Sequence, residues 1–416
     1  MRNLTILLTA TLVSACDAVL PGAPEAVDEL AGTVPGLSGP QTAMHFAGDA
    51  EFARVFGAAD GLGPIFVAAS CESCHVGDGK GHPLFNITRF GRDTPGGFDP
   101  MRATGGPQLQ DRAVLGYLAE SVPVGATGVA RFTAPIVTGL GYLEAVDDTT
   151  LLNLEDPTDA NADGISGRVQ LIEASDLLAE VVSLEAIATD GPPSRGMLID
   201  GQFYIGRFGK KALSVNLLQQ VVTAYHQDMG ITSDLIPHEI FNPAVGPFTG
   251  DGAPEPEVPA SVVNAVTFYI KTLKAPPRRN VSHPDVIAGQ VLFDNGPCAS
   301  CHLPQLTTGA SSLAALDRVT FAPYTDLLLH DMGSELDDGY TEGRATTSEW
   351  RTAPLWGIGL SARFQGGSMH LLHDGRAKSI PEAVQFHGGE GAGSRTWFNG
   401  LTDVQRRQVI AYLMSL

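Results

Sequence analysis

Apolar positions recur at helical spacing in two long stretches of the chain. SVVNAVTFYIKTLKAP, from Ser261, is apolar every three or four residues and is stopped by Pro276-Pro277. A helix therefore ends there, and a domain junction falls near 275–284. The C-terminal stretch LTDVQRRQVIAYLMSL carries an uneven apolar stripe at Val404, Val409, Ile410, Leu413 and Leu416, preceded by the capping-box pair Thr402 and Gln405. A shorter helix is predicted over 380–387. Ser379 and Glu382 bracket Pro381 in its first turn, and Gly388-Gly389 closes it, which leaves His387 in the last turn. Alternating strand patterns are few. With 48 Gly and 28 Pro but only 17% charged residues, the pattern predicts a mainly α chain with long loops.

The first residues follow a different pattern. MRNLTILLTATLVSAC places Arg2 before an apolar run from Leu4 to Val13, too short for a permanent membrane span and typical of an export signal. Its end, Leu12 to Cys16, resembles a bacterial lipobox, whose cysteine is lipidated and becomes the mature N-terminus. Ordinary signal cleavage nearby, leaving Cys16 as a lone thiol, is the alternative. Asp17 resembles an inner-membrane retention signal. Residues 17–44 are rich in Ala, Gly, Pro and acid, as a flexible tether is. The expected location is the periplasm, with membrane contact only through a lipid on Cys16.

The 416 residues suffice for two or three domains. Acidic side chains outnumber basic ones 46 to 26, for a net charge of −20. That balance argues against a nucleic acid or an anionic membrane surface as partner, and it allows a basic redox protein to be steered in.

The five cysteines carry the chemistry. Cys71, Cys74, Cys298 and Cys301 form two CxxCH units, CESCH and CASCH, ending in His75 and His302. In such a unit each thiol adds across a haem vinyl group and the adjacent histidine reaches the iron from the same side. Chance would supply about 0.002 such motifs in a chain of this composition. A zinc knuckle or redox dithiol would leave both trailing histidines unexplained. Two covalently bound haems c are expected. The stretches before the two motifs resemble each other, EFARVFGAADGLGPIFVAASCESCH and IAGQVLFDNGPCASCH. They predict two cytochrome c-like domains: an enlarged N-terminal haem domain over 45–276 with insertions, and a second over 282–416.

A second strong ligand makes an electron-transfer haem, whereas an open position admits a small molecule. Candidates are His82, His226, His238, His283, His330, His370, His373 and His387, with Met101, Met332 and Met369. The loop DPTDANADGISGR offers Asp159, Asn161, Asp163 and Gly164, the oxygen-rich start of a calcium loop, but Gln170 stands where an EF-hand requires Glu. Calcium is one reading of the loop, and an Asx-rich turn the other.

Several segments resemble the bacterial di-haem oxidoreductase family, often labelled thiol oxidoreductases and related to the di-haem cytochrome c peroxidases and MauG. They are APIVTGLGYLEA (134–145), GRFG (206–209), DMGITS (228–233), CASCH, TDLLLHDMG (325–333), EWRTAPLWGIG (349–359) and LLHDGRAKSIPEAVQFHGGE (371–390). In the peroxidases a methionine fourteen residues after the motif histidine ligates the C-terminal haem. Counting from His373, that position holds His387. The resemblance thus implies a bis-histidine haem on His302 and His387, of lower potential than a His/Met one.

The histidine that the peroxidases place about sixteen residues after the first CxxCH is Gly91 here, with His82 the nearest substitute. The haem on His75 is accordingly expected to be open and reactive, with Gln108, Gln110 and Arg112 near its pocket. His373 and Arg376 are expected on a propionate, and His330 is the main rival of His387. The resemblance implies peroxidase-like chemistry at the His75 haem, fed by electrons through the His302 haem from a small redox protein or a quinol-linked donor. The alternative is a pure electron carrier. The thiol label finds no support, because haem attachment uses all four cysteines outside the lipobox.

Overall fold

A computed structural model describes residues 30–173, 199–246 and 250–416. The export signal, Cys16 and the first part of the expected tether lie outside them. From Leu30 onward that segment is packed rather than loose, which corrects the expectation. Leu30 and Val34 are buried, Val34 against Tyr142 and Leu316, and Thr33 bridges to Leu273.

Ten α-helices lie in the described residues: α1 Gly39–Phe52, α2 Leu140–Glu144, α3 Asp148–Leu154, α4 Leu217–Met229, α5 Ala260–Thr272, α6 Pro284–Asp294, α7 Ser361–Phe364, α8 Ile380–Gln385, α9 Ala392–Gly400 and α10 Asp403–Ser415. Helix makes up 34% and strand 14%, so the expected mainly α fold holds only in part. The strands are short and form five small sheets. The largest orders Gly97–Asp99, Ile87–Thr94 and Gly128–Phe132, with Ala130 and Phe132 turned inward. A second pairs Leu329–Asp331 with Glu349–Arg351 and sets His330 opposite Trp350. All strands but the eight-residue Ile87–Thr94 have two to five residues, too few to show much alternation, which is why the sequence pattern underestimates them.

Two helix pairs recur with the same construction. In α1 and α5, a Cβ built on Gly48 would lie 2.1 Å from the Ala265 carbonyl oxygen and 2.7 Å from Tyr269 Cβ. In α6 and α10, a Cβ on Gly289 would lie 1.9 Å from the Gln408 carbonyl oxygen and 2.8 Å from Tyr412 Cβ. Only glycine lets the backbones approach so closely. A phenylalanine then packs on each tyrosine, Phe52 on Tyr269 with centroids 5.5 Å apart and Phe293 on Tyr412 at 5.3 Å. The capping box of α10 forms as the sequence predicts: Thr402 Oγ1 accepts from the Gln405 amide, and the Gln405 side chain accepts from the Thr402 amide.

The core does not divide at 275–284. The cluster built on α1, α4 and α5 also holds Leu306, Leu327, Leu328 and Trp356 from beyond the junction, while a second cluster joins α6, α9 and α10. Under the first cluster, Arg207 and Asp148 form a salt bridge between side chains each only 1% exposed, and Arg207 also donates to the Val146 carbonyl at 2.8 Å. No helix among the described residues is long and apolar enough to cross a membrane.

Candidate haem-binding site

Each CxxCH coils into a single tight turn. The His75 amide donates to the Cys71 carbonyl at 3.0 Å, and the His302 amide donates to the Cys298 carbonyl at 3.0 Å. The turn brings both sulfurs and the imidazole to one side of the loop. None of the four cysteines is bridged. Burial pushes the Cys71 and Cys74 thiols up to about 12, with the Asp228 carboxylate adding to the shift, and burial pushes Cys298 up to about 11. Such thiols remain protonated at neutral pH, unlike the low-pKa thiolates of redox dithiols.

The two imidazoles are held alike. His75 Nδ1 lies 2.8 Å from the Pro135 carbonyl oxygen, and His302 Nδ1 lies 2.9 Å from that of Tyr324. With Nδ1 donating to a carbonyl, the proton is fixed there and Nε2 keeps its lone pair, the arrangement that prepares a histidine for a metal. Burial lowers both rings to about 4, so they stay neutral, against the opposing effect of the same carbonyl bonds. Among the described residues neither Nε2 has a hydrogen-bond partner. Paired sulfurs, a neutral imidazole with Nε2 available and a single-turn loop fit covalently attached haem at both places.

The other histidines separate by what their ring nitrogens bond. His82 Nδ1 accepts from the Leu84 amide and the ring packs on His370, which meets Lys378 at 2.6 Å. His226 Nε2 contacts the His238 carbonyl, and His283 Nδ1 caps α6. His373 bonds Asp338 at 2.8 Å and stacks on Trp350, centroids 3.7 Å apart. Arg376 bonds Asp374, Asp338 and the Glu335 carbonyl, so its donors are engaged within the protein rather than held out for a propionate. Met369 packs in the C-terminal cluster, Met332 packs beside Phe132 and Trp350, and Met101 is buried.

Two of the candidate histidines remain, and both influence His302. His330 lies between two carboxylates, Nε2 2.9 Å from Asp326 and Nδ1 2.6 Å from Glu390. Burial works against its charged form, but hydrogen bonds to Asp326, Cys301 and Glu390 outweigh that and hold it up at about 12. Both its nitrogens carry protons, so neither has a lone pair for iron. His387 differs. Its Nδ1 lies 2.9 Å from the Ala383 carbonyl, burial keeps the ring neutral, and no described residue bonds its Nε2. The helix beneath it is shorter than the sequence predicts. Ser379 caps it through the Glu382 amide, but Glu382 reaches back to Lys378, and α8 ends at Gln385, placing His387 just past the cap.

At the first motif the charged neighbour that acts on His75 is Lys210 rather than a histidine. Gln108 bonds Asp228 and, with Gln110, the Gln227 carbonyl, and its own carbonyl oxygen and that of Gln110 are buried without a partner. Arg112 and Asp111 act electrostatically on Cys74, and both line a small cavity beside it with Leu84, Phe85 and Asn86. In the loop expected to hold calcium, the Asp156, Asp159 and Asp163 carboxylates accept from its own amides. Asn161 and Asp163 accept from amides two residues on, as Asx turns do, while Asp156 and Asp159 close wider loops over four and five residues. Asp326 and Glu390 lie inside the family-like segments 325–333 and 371–390 but carry no role in the sequence reading, because only the fold brings their carboxylates to His330.

These paired attachment loops define a chain equipped to bind two haems. A family model described as "Di-haem oxidoreductase, putative peroxidase" matches residues 118–416. The chain belongs to this di-haem oxidoreductase family. The second CxxCH lies within the match and the first precedes it. Among solved structures, the chain resembles a chain of hydrazine synthase from Kuenenia stuttgartiensis, pressurised with xenon, at 14% identity and a TM-score of 0.41, covering 100% of this chain and 99% of that one. No curated protein matches its sequence.

Proposed function

We propose that the protein is an exported oxidoreductase with two covalently bound haems c on two cytochrome c-like units, with electrons entering at the His302 haem and peroxidase-like reduction occurring at the His75 haem. The observation that carries this reading is the asymmetry of the two loops. Both histidines bond a backbone carbonyl through Nδ1, but the neutral His387 acts on His302, whereas the charged neighbour acting on His75 is Lys210. Bound haem supplies the redox chemistry. The protein orients His75 and His302, holds both neutral, and closes the second site with His387. Near the first site, Gln108, Gln110 and Arg112 offer polar groups to a small oxidant such as a peroxide. A small basic redox protein or a quinol-linked donor supplies electrons to the acidic surface. The chain is periplasmic and anchored by a lipid on Cys16. No part of this reaction calls on calcium.

The test is the spin state of the purified ferric protein, expressed with cytochrome c maturation. One high-spin and one low-spin haem by electron paramagnetic resonance, with peroxide changing only the high-spin signal, is the expected result. Two low-spin haems inert to peroxide would make the protein an electron carrier instead.

A further inference from the structure

The interior between the two attachment loops holds an excess of positive charge, although the chain as a whole carries a net −20. Lys80 follows the first motif by five residues, and its Nζ donates to the Leu372 carbonyl at 3.0 Å across the junction of the two halves. The Arg351 amide donates to the Lys210 carbonyl at 2.9 Å, and Arg351 Nε donates to the Gly209 carbonyl at 3.0 Å. Lys210 and Arg351 are therefore neighbours, and Lys80 acts electrostatically on Lys210, which in turn acts on His75. Arg351 belongs to the strand opposite Leu329–Asp331, whose His330 lies 3.7 Å from Cys301 Sγ. The group thus sits between the two loops.

Two carboxylates act on this group, Asp374 on Lys80 and Lys210 and Asp326 on Arg351, and both are already engaged, Asp374 by Arg376 at 2.7 Å and Asp326 by His330 at 2.9 Å. Lys80 and Arg351 give hydrogen bonds only to carbonyls, and Lys210 Nζ has no hydrogen-bond partner among the described residues. Burial lowers Lys80 to about 7, Arg351 to about 10 and Lys210 well below its ordinary value. Cations withdrawn from bulk water are normally paired with an anion, since leaving them unpaired is costly. These three are part-buried between the attachment loops, and haem would bring two carboxylates of its own.

We propose that Lys80, Lys210 and Arg351 form the receptor for the propionate carboxylates of the haem on His75. The assignment rests on the proposed binding of haem at that loop. It is distinct from Arg376 and His373, which are expected on a propionate of the His302 haem and whose polar atoms bond Asp374, Asp338 and the Glu335 carbonyl. Propionates paired with fixed cations are less able to stabilise the ferric iron's charge, so losing a cation lowers that haem's midpoint potential.

The experiment compares wild type with Lys210→Gln and Lys210→Arg, each carrying both haems as judged by intact mass. Spectroelectrochemical titration should show a fall in the potential of the His75 haem in Lys210→Gln, a smaller or absent change in the His302 haem, and recovery in Lys210→Arg. Lys80→Gln should shift the same haem in the same direction, and serves if Lys210→Gln does not fold. Potentials equal to wild type in fully loaded Lys210→Gln and Lys80→Gln would overturn the receptor while leaving haem binding intact. A wild-type mass without haem would overturn both readings.

Discussion

The surroundings of His75 and His302 start from one construction and diverge in what they place around it. Each histidine follows a single-turn CxxC loop, bonds a backbone carbonyl and is served by a helix pair closed over a glycine and a tyrosine. Beyond that, the second site gathers His387, His330, Asp326 and Glu390, while the first is met by Asp228, two glutamines and Lys210. The difference teaches that the loop decides only how its own histidine is held. What surrounds that histidine is decided by residues far away in sequence, so two equal motifs can stand in unequal environments.

The comparison can be tested most severely at His387. In His387→Ala, the low-spin ferric signal of the His302 haem should convert wholly to high spin while the other haem's signal stays as it was. His330→Gln should leave both spin states unchanged, because His330 has no lone pair to offer. Conversion by the His330 variant and not by the His387 variant would exchange their roles.

The next largest effect addresses whether the two regions are independent. Arg207→Ala removes the buried guanidinium that pairs with the Asp148 carboxylate and should cost about 3–5 kcal/mol. Because the core around α1, α4 and α5 includes residues from beyond 300, denaturant unfolding should remain one transition followed equally by both haem absorbances. Separate transitions would show two autonomous halves.

Gly48→Ala and Gly289→Ala probe the shared construction itself. Each forces a methyl group against a backbone carbonyl and should cost about 1–3 kcal/mol. Near-equal losses support the equivalence of the helix pairs, and a strong inequality breaks it.

The smallest effect is a slope. His330 keeps its proton to about 12 when folded, against an ordinary value of 6.5. A raised folded value gives stability that is full below 6.5 and is lost as pH rises through that range toward 12. Wild type should therefore lose stability from neutral into alkaline pH, and His330→Gln should show a flatter dependence in the same denaturant titrations.

Local features were the legible ones. Cys71, Cys74, His75, Cys298, Cys301 and His302 could be named from spacing, since attachment needs only adjacent residues. The cap of α10 and the helix α5 followed from short-range pattern. His387 stands out by counting within a motif, although its helix ends at Gln385, two residues short of the predicted end. The carbonyls of Pro135 and Tyr324 left no trace in the sequence, as every residue carries one. Lys80, Lys210 and Arg351 were equally hidden: their juxtaposition depends on chain crossings, and each alone looks like an ordinary surface cation.

The carbonyl partners of His75 and His302 have an implication for inheritance. In many metal sites a carboxylate side chain orients the ligating histidine, and one codon change removes it. Here the acceptors are main-chain atoms, which no substitution at Pro135 or Tyr324 deletes. Variation at those positions can tilt the ligand only by rerouting the loop. Drift among descendants of this chain is thereby channelled away from the proximal side and toward the residues that face each iron from the other.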